Sequence, residues 1–302
     1  MAIEELKARI ASCGLSYIAD APMNQYTTLK IGGKADLLVQ PRSTDEVVLA
    51  RRLARETETP VTFIGNGSNL LVRDGGIRGL VVRFGPQFSS VRTEGETLIA
   101  QSGVSLAALA QTAASAGLTG LEFASGIPGT LGGGIMMNAG AYKGEMKDVV
   151  TEVTALDEDG SLRTFCGDEL DFSYRHSRFT GSAMLVMEAK LKLRNGDRQE
   201  IYDRMRELAL KRRTTQPLEY PSAGSAFKRP ATGYAAAMID ACGLKGYRVG
   251  DAQVSEKHAG FVINRGTATA KEVLTLLSDV QKAVKEQFDT ILEPEVVILG
   301  EA

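Results

Sequence analysis

Apolar positions along the chain follow a helical rhythm in some stretches and a strand rhythm in others, and the two alternate from end to end. Residues 1–15 are charged throughout, with Ile3, Leu6 and Ile10 on one face, and predict a short amphipathic helix. A short strand is expected over 36–40. Ser43-Thr44-Asp45-Glu46 then has the capping-box pattern and opens a helix through about Glu56. Segments 61–64 and 80–84 are apolar, β-branched runs of the buried-strand type. Segment 105–116 is alanine-rich and helical, closed by Gly117. Strands are expected over 149–156 and 184–193, the second by its alternation. An amphipathic helix over 198–213 ends in Lys211-Arg212-Arg213, and 214–221, with two prolines, reads as a domain linker. A smaller unit follows, with a helix over 234–242, a strand over 260–264 and a long helix from Thr269. That helix has its own capping box, Thr269 to Glu272, and apolar Val273, Leu274, Leu277, Val280 and Val284 at helical spacing. The chain ends in a strand over 295–299. No internal repeat or low-complexity segment interrupts it.

Composition narrows the class. A chain of 302 residues is long enough for two or three modules, and its 43% hydrophobic and 24% charged residues are those of a globular protein. Lys and Arg total 35 against 37 for Asp and Glu, so a net charge of −2 gives no pull toward nucleic acid or an anionic membrane. No apolar run approaches the ~20 residues that span a bilayer, and residues 1–15 lack the apolar stretch of a signal peptide. The three cysteines, Cys13, Cys166 and Cys242, are widely spaced and odd in number. They form neither a disulfide framework nor a zinc pattern, and point to a reducing cytoplasm, each reading as a small buried hydrophobe. Two histidines, His176 and His258, are too few for a His-based metal site, so no metal is expected.

Glycine changes the picture. The 32 glycines cluster: Gly32-Gly33, then Gly65-Asn66-Gly67-Ser68-Asn69, then Gly126-Ile127-Pro128-Gly129-Thr130-Leu131-Gly132-Gly133-Gly134. Such density signals tight turns or backbone pressed against a ligand. The Walker pattern is absent. The dinucleotide fingerprint nearly occurs at Gly65, but its third glycine would fall on Leu70. What remains is a set of turns whose free amides cradle a pyrophosphate, with Asn66, Ser68 and Asn69 as small polar donors. The plain alternative for any one cluster is a surface turn.

The chain resembles the UDP-N-acetylenolpyruvylglucosamine reductase family. The likeness starts at Thr28-Leu29-Lys30-Ile31-Gly32-Gly33-Lys34-Ala35-Asp36 and includes FIGNGSNLLVR at 63–73 and SGIPGTLGGGIMMN at 125–138, the family's two flavin loops. It continues through Gly140-Ala141-Tyr142, Tyr174-Arg175, Ala223-Gly224-Ser225-Ala226-Phe227-Lys228, Lys257-His258-Ala259 and Leu292-Glu293-Pro294-Glu295-Val296. The flavin loops alone are shared with other enzymes of the vanillyl-alcohol-oxidase (PCMH) type; joined to the Arg175, Ser225 and Glu295 motifs they are specific. The chain is similar to the shorter of the family's two classes, which lacks an inserted tyrosine-bearing loop.

The resemblance implies an α+β fold: a two-subdomain FAD-binding module plus a C-terminal α/β substrate domain. Subdomain 1 would cover 1–90, joined by the strand 295–302, subdomain 2 would cover 91–213, and the substrate domain 214–294. It implies noncovalent FAD, NADPH as reductant, and UDP-N-acetylglucosamine enolpyruvate as the small-molecule substrate, reduced during peptidoglycan precursor synthesis. Gly32, Gly65, Asn66, Gly67, Ser68, Asn69, Gly126, Ile127, Pro128, Gly129, Gly133 and Arg212 would hold the cofactor. Hydride addition to the enol ether puts negative charge next to the substrate carboxylate, and Arg175 is the cation expected there, since a planar guanidinium suits a carboxylate. Glu295 fits beside that anion only when protonated or as an orienter of Arg175. Ser225 would give the proton to the second carbon, helped by Lys228; an enolate is a strong base, which narrows the acidity mismatch. Lys228, Arg229 and Arg178 would meet the diphosphate, and Tyr142 and His258 the sugar nucleotide. Relatives often carry Asn where this chain has Arg229, a change that phosphate binding tolerates. A flavin oxidase acting on an alcohol or sugar is the rival. Many of those tether flavin through His or Cys, and neither occurs in 65–69 or 125–138.

Overall fold

Helix starts are written into local chemistry. Ser43 Oγ accepts from the Glu46 amide at 3.2 Å and opens the helix Thr44–Glu56, while Glu46 reaches past the cap to the Arg42 amide at 2.7 Å. Thr269 and Glu272 close a full reciprocal box at the start of Ala270–Phe288. The computed structural model describes residues 2–302 and resolves the chain into two units, one built from the chain up to Tyr17, Val39–Asn66 and Val81–Arg212, the other from Ile18–Leu38, Gly67–Leu80 and Arg213–Ala302.

The first unit is organised by a five-stranded antiparallel sheet. Its order is Leu162–Cys166, Val150–Leu156, Leu185–Lys192, Thr97–Gln101, Val91–Glu94. The helices Leu106–Ser115 and Leu131–Met136 contribute Leu106, Leu109, Leu131 and Ile135 to the core formed with Leu98, Val153, Ala189 and Leu191. The second of these helices reads LGGGIM, and its first and third glycines are positions of contact. A Cβ on Gly132 would stand 2.9 Å from Ser102 Cβ, and one on Gly134 3.1 Å from Leu106 Cδ1. Helix Thr44–Glu56 buries Val47, Ala50, Leu53 and Ala54, and Arg9 of the helix Ala2–Ser12 pairs with its Glu56 at 2.9 Å.

The second unit has a four-stranded antiparallel sheet in the order Ser222–Ser225, Phe261–Asn264, Ala252–Val254, Arg248–Val249. Helix Ala270–Phe288 covers it with Val273, Leu276, Leu277, Val280 and Val284, all buried; each adds about 1.5–3 kcal/mol by leaving water. Leu274 is only half-buried and Leu276 takes the core place. The C-terminal strand is shorter than expected, Val297–Leu299, and pairs in parallel with Leu70–Val72.

Two cysteines depart from the expected burial. Cys13 sits in the turn after the first helix and Cys166 ends an edge strand, and both are exposed. Cys242 is half-buried, and burial pushes its thiol pKa up. Among the described residues no helix is long and apolar enough to cross a membrane, and no cluster of His, Cys, Asp and Glu could hold a metal ion.

Candidate active site

In the first unit the glycine motifs around 65 and 129 meet. Asn66 Nδ2 donates to the Pro128 carbonyl at 3.1 Å, and a Cβ on Gly65 would collide with Thr130 Oγ1. The second motif is docked through its backbone: Leu106 N donates to Gly129 O at 3.0 Å, Leu131 N to Val104 O at 2.8 Å and Gly132 N to Ser102 O at 2.8 Å. Ile127 N closes a turn on Ala124 O at 3.0 Å, and a Cβ on Gly133 would meet nothing nearer than Thr130 Oγ1 at 3.7 Å. Beside Gly126 lies Arg212, with Cδ 3.1 Å from where a Cβ would stand. Burial lowers the Arg212 pKa, the neighbouring Tyr142 partly offsetting it, and its guanidinium has no carboxylate partner among the described residues.

This cradle passes the test for a dinucleotide flavin. Buried Ser102 Oγ and Tyr142 Oη have no hydrogen-bond partner among the described residues, a cost that folding accepts where a ligand supplies the partner. A cavity of about 870 Å³ in the same unit is lined by Arg51, Arg52, Arg55, Phe63, Glu158 and Met184, and the cradle residues are not among its walls. Sequence reasoning does not single out Ser102 or Asn138. For Ser102 no local signal exists; for Asn138 the signal is its place directly behind the glycine run.

Arg175 is displayed on a tight turn. Ser173 and His176 exchange backbone hydrogen bonds at 3.1 and 3.2 Å, Arg175 takes a left-handed φ of +56°, and its guanidinium lies 5.0 Å from the Tyr174 ring centroid. Asn138, Tyr142 and Lys143 are also left-handed, at +39°, +52° and +72°. Non-glycine residues hold such conformations only where their surroundings impose them, as at functional sites. Asn138 is the residue that imposes the turn. Fully buried, it donates from Nδ2 to Glu145 Oε2 at 2.9 Å and to Ser173 O at 3.1 Å, and accepts from the Lys147 amide at 2.9 Å. Asn138→Ala should therefore cost about 3 kcal/mol, roughly 1 kcal/mol per lost bond. Urea unfolding reads it, and a loss below about 1 kcal/mol would show these bonds to be replaceable. Arg178 Nε donates to Glu169 O, and its guanidinium lies 4.8 Å from the Phe165 centroid.

The second unit brings Ser225 and Glu295 onto neighbouring backbone. Glu295 N donates to Ala226 O at 2.9 Å, Lys228 N donates to Glu293 O at 2.8 Å, and Phe227 bridges Pro294. A bulge then aims Ser225. Ser222 pairs with Ile263 and Ser225 with Phe261, three residues against two, with Gly224 at φ +80° absorbing the extra one. Ala223, Ala226 and Phe227 are buried while Ser225 is exposed. Glu295 is half-buried and Glu293 exposed, its carboxylate 3.2 Å from Lys228 Nζ. Arg229 stacks over Tyr234 at 4.4 Å. In the segment after Asn66, a Cβ on Gly67, at φ +64°, would strike the Tyr26 carbonyl, and Ser68 is half-buried. Gly32 packs flush on Val72, whose Cβ is 2.7 Å from where its own would be.

His258 accepts from the Gly260 amide at 3.2 Å through Nδ1 and meets the Phe261 ring edge-on at 5.0 Å. Burial lowers its pKa below the ordinary 6.5, with Lys245 adding to the effect. The native state thus refuses a proton that the unfolded chain accepts. Its contribution to stability is complete above the unfolded value and is lost as pH falls toward the folded one. Stability measured against pH should decline below 6.5, and His258→Gln should flatten that decline; an unchanged slope would assign it to other groups.

Residues 35–165 match the family described as an FAD binding domain, so fold and cradle together define a flavoprotein. Residues 216–299 match the C-terminal domain of UDP-N-acetylenolpyruvoylglucosamine reductase. The reductase of that name from Clostridium tetani is 50% identical over 279 residues, covering 92% of this chain and 91% of that protein. The one from Agathobacter rectalis is 50% identical over 299 residues, covering 95% of each. The crystal structure of the Thermus caldophilus reductase matches with a TM-score of 0.81 at 38% identity, covering 95% of this chain and 99% of that one. The grass pollen allergen Phl p 4 matches with a TM-score of 0.51 at 17% identity, over 66% of this chain and 45% of its own, and shares the fold only. The chain belongs to the UDP-N-acetylenolpyruvoylglucosamine reductase family, and its α+β fold joins an FAD-binding module to that family's C-terminal domain.

Proposed function

We propose that this chain reduces UDP-N-acetylglucosamine enolpyruvate to UDP-N-acetylmuramate, with noncovalent FAD and with NADPH as reductant, in the cytoplasmic synthesis of peptidoglycan precursors. The observation that carries the reading is the backbone pairing of the Ser225 and Glu295 segments within the family's C-terminal domain, in a chain that also carries the flavin cradle. Three modules follow from the family: FAD subdomains over 1–90 with 295–302 and over 91–213, and a substrate domain over 214–294.

FAD, when bound, would supply hydride chemistry between NADPH and the enol ether. The chain's own residues manage the charge and the proton. Arg175 binds the substrate carboxylate most tightly when charge from the new C–H bond is spread into it, which lowers the barrier to that step. Ser225 Oγ–H then protonates the second carbon, so one hydride and one proton complete the saturated ether. Glu295 assists on the same unit as Ser225. Lys228 sits beside the exposed Glu293, a pair of the kind worth about 0–1 kcal/mol, so its ammonium is easily redirected to a phosphate or to the Ser225 oxygen. Arg229 and Arg178 serve the diphosphate, and Tyr142 and His258 the sugar nucleotide. Gly65, Asn66, Gly126, Ile127, Pro128, Gly129, Gly133 and Arg212 of the first unit, and Gly32, Gly67, Ser68 and Asn69 of the second, hold the flavin nucleotide.

Incubation of the pure protein with NADPH and the enolpyruvyl UDP-sugar tests this directly. One UDP-N-acetylmuramate should form per NADPH consumed. NADPH consumption matched by peroxide, with the sugar nucleotide untouched, would assign the chain to flavin oxidases instead.

A further inference from the structure

Asn69 closes the first flavin loop, yet its side chain is spent on the other end of the chain. Asn69 Nδ2 donates to the Glu295 carbonyl at 3.0 Å, and the Asn69 carbonyl accepts from the Val297 amide at 2.9 Å. One residue thus grips the backbone at the Glu295 carbonyl and again two residues on, at the Val297 amide. From there the two segments run on in register: Val297, Ile298 and Leu299 pair with Leu70, Leu71 and Val72, Arg73 N donates to Leu299 O at 2.8 Å, and Gly75 N to Glu301 O at 3.1 Å. On its remaining side Glu295 donates its own amide to Ala226 O at 2.9 Å, one residue from Ser225. The Glu295 backbone is therefore held from two directions, by the serine-bearing strand and by the end of the flavin loop. In these bonds to the Glu295 backbone, Asn69 supplies the side chain.

We infer that Asn69 is a positioning residue that sets Glu295 for the second half-reaction and couples its placement to the occupancy of the flavin loop. The amide of asparagine carries two N–H donors. One is used on Glu295 O, which leaves the other able to meet a phosphate oxygen, so a bound nucleotide would stiffen the side chain that grips Glu295. A shift of the order of 1 Å in a reacting group costs about 10²-fold in rate, and loss of this clamp frees Glu295 on one of its two sides.

The inference rests on the reading of Glu295 given above, and the test separates the two. Anaerobic stopped-flow of the holoenzyme reads flavin reduction by NADPH and its reoxidation by the enolpyruvyl substrate in Asn69→Ala, in the isosteric Asn69→Asp, which lacks the donor, in Glu295→Ala, and in the Asn69→Ala/Glu295→Ala double variant. With FAD supplied at saturation, Asn69→Ala and Asn69→Asp should slow reoxidation about 10²-fold more than they slow reduction. Once Glu295 is alanine, the Asn69 substitution should add nothing, because both act through one carboxyl. Wild-type reoxidation in Glu295→Ala would sink the role of Glu295 and the clamp with it. A slow Glu295→Ala beside a wild-type Asn69→Ala would overturn the clamp alone. At saturating FAD, equal slowing of both half-reactions, or a full additional factor in the double variant, would leave Asn69 a cofactor or fold residue alone and overturn it as well. Should the alanine variant fail to fold, Asn69→Asp carries the same comparison.

Discussion

Ser225→Ala should leave the flavin bleaching by NADPH at its normal rate and slow reoxidation by the enolpyruvyl substrate by about 10³-fold, within the range for loss of a positioned proton donor. The asymmetry is the point. NADPH reduction needs no proton on carbon, whereas the second half-reaction cannot finish without one. The fold makes the assignment physical. The bulge across Ala223 and Gly224 turns the Ser225 side chain outward from a strand whose neighbours Ala223 and Ala226 are buried, and no helix cap requires it there. Removing an exposed hydroxyl at a strand end costs little stability, so a slow variant will still be folded. Equal slowing of both half-reactions would make Ser225 structural.

Arg175→Lys should lower kcat/KM by about 10²-fold, with most of the loss in kcat, as expected for an interaction strongest in the transition state. Lysine keeps the charge but not the planar fork that matches a carboxylate. It also keeps the same backbone demand, since lysine is no easier to hold at φ +56° than arginine, so the comparison isolates the head group. The turn is fixed independently by Asn138 through Ser173 O, which guards against wholesale rearrangement. An effect confined to KM would reduce Arg175 to a binding residue.

Features governed by neighbours along the chain are legible in the sequence. The capping residues Ser43 and Thr269 start their helices where expected, and the apolar spacing from Val273 to Val284 finds the face that helix buries. The glycine clusters mark the cradle because small residues leave a sequence-level trace of close approach. Other elements leave no such trace. The strand Ser222–Ser225 is four residues long and forms only by pairing with Phe261–Asn264. The hairpin of Val91–Glu94 and Thr97–Gln101 shows little alternation, because its first strand lies at the sheet edge and is mostly exposed. Leu131–Met136 is helical despite three consecutive glycines, two of which, Gly132 and Gly134, lie close against Ser102 and Leu106. The structural roles of Asn69 and Asn138 are hidden for a related reason: what a buried or half-buried amide does lies in which distant carbonyl it meets, Glu295 in one case and Ser173 in the other.

The visible spectrum of the pure protein under anaerobic conditions, recorded with NADPH and then with UDP-N-acetylglucosamine enolpyruvate, tests the flavin reductase assignment most directly. The expected result is a flavin spectrum that bleaches with NADPH and returns on adding the enolpyruvyl substrate. Flavin that returns only when oxygen is admitted, or a protein that takes up no FAD, would contradict the assignment.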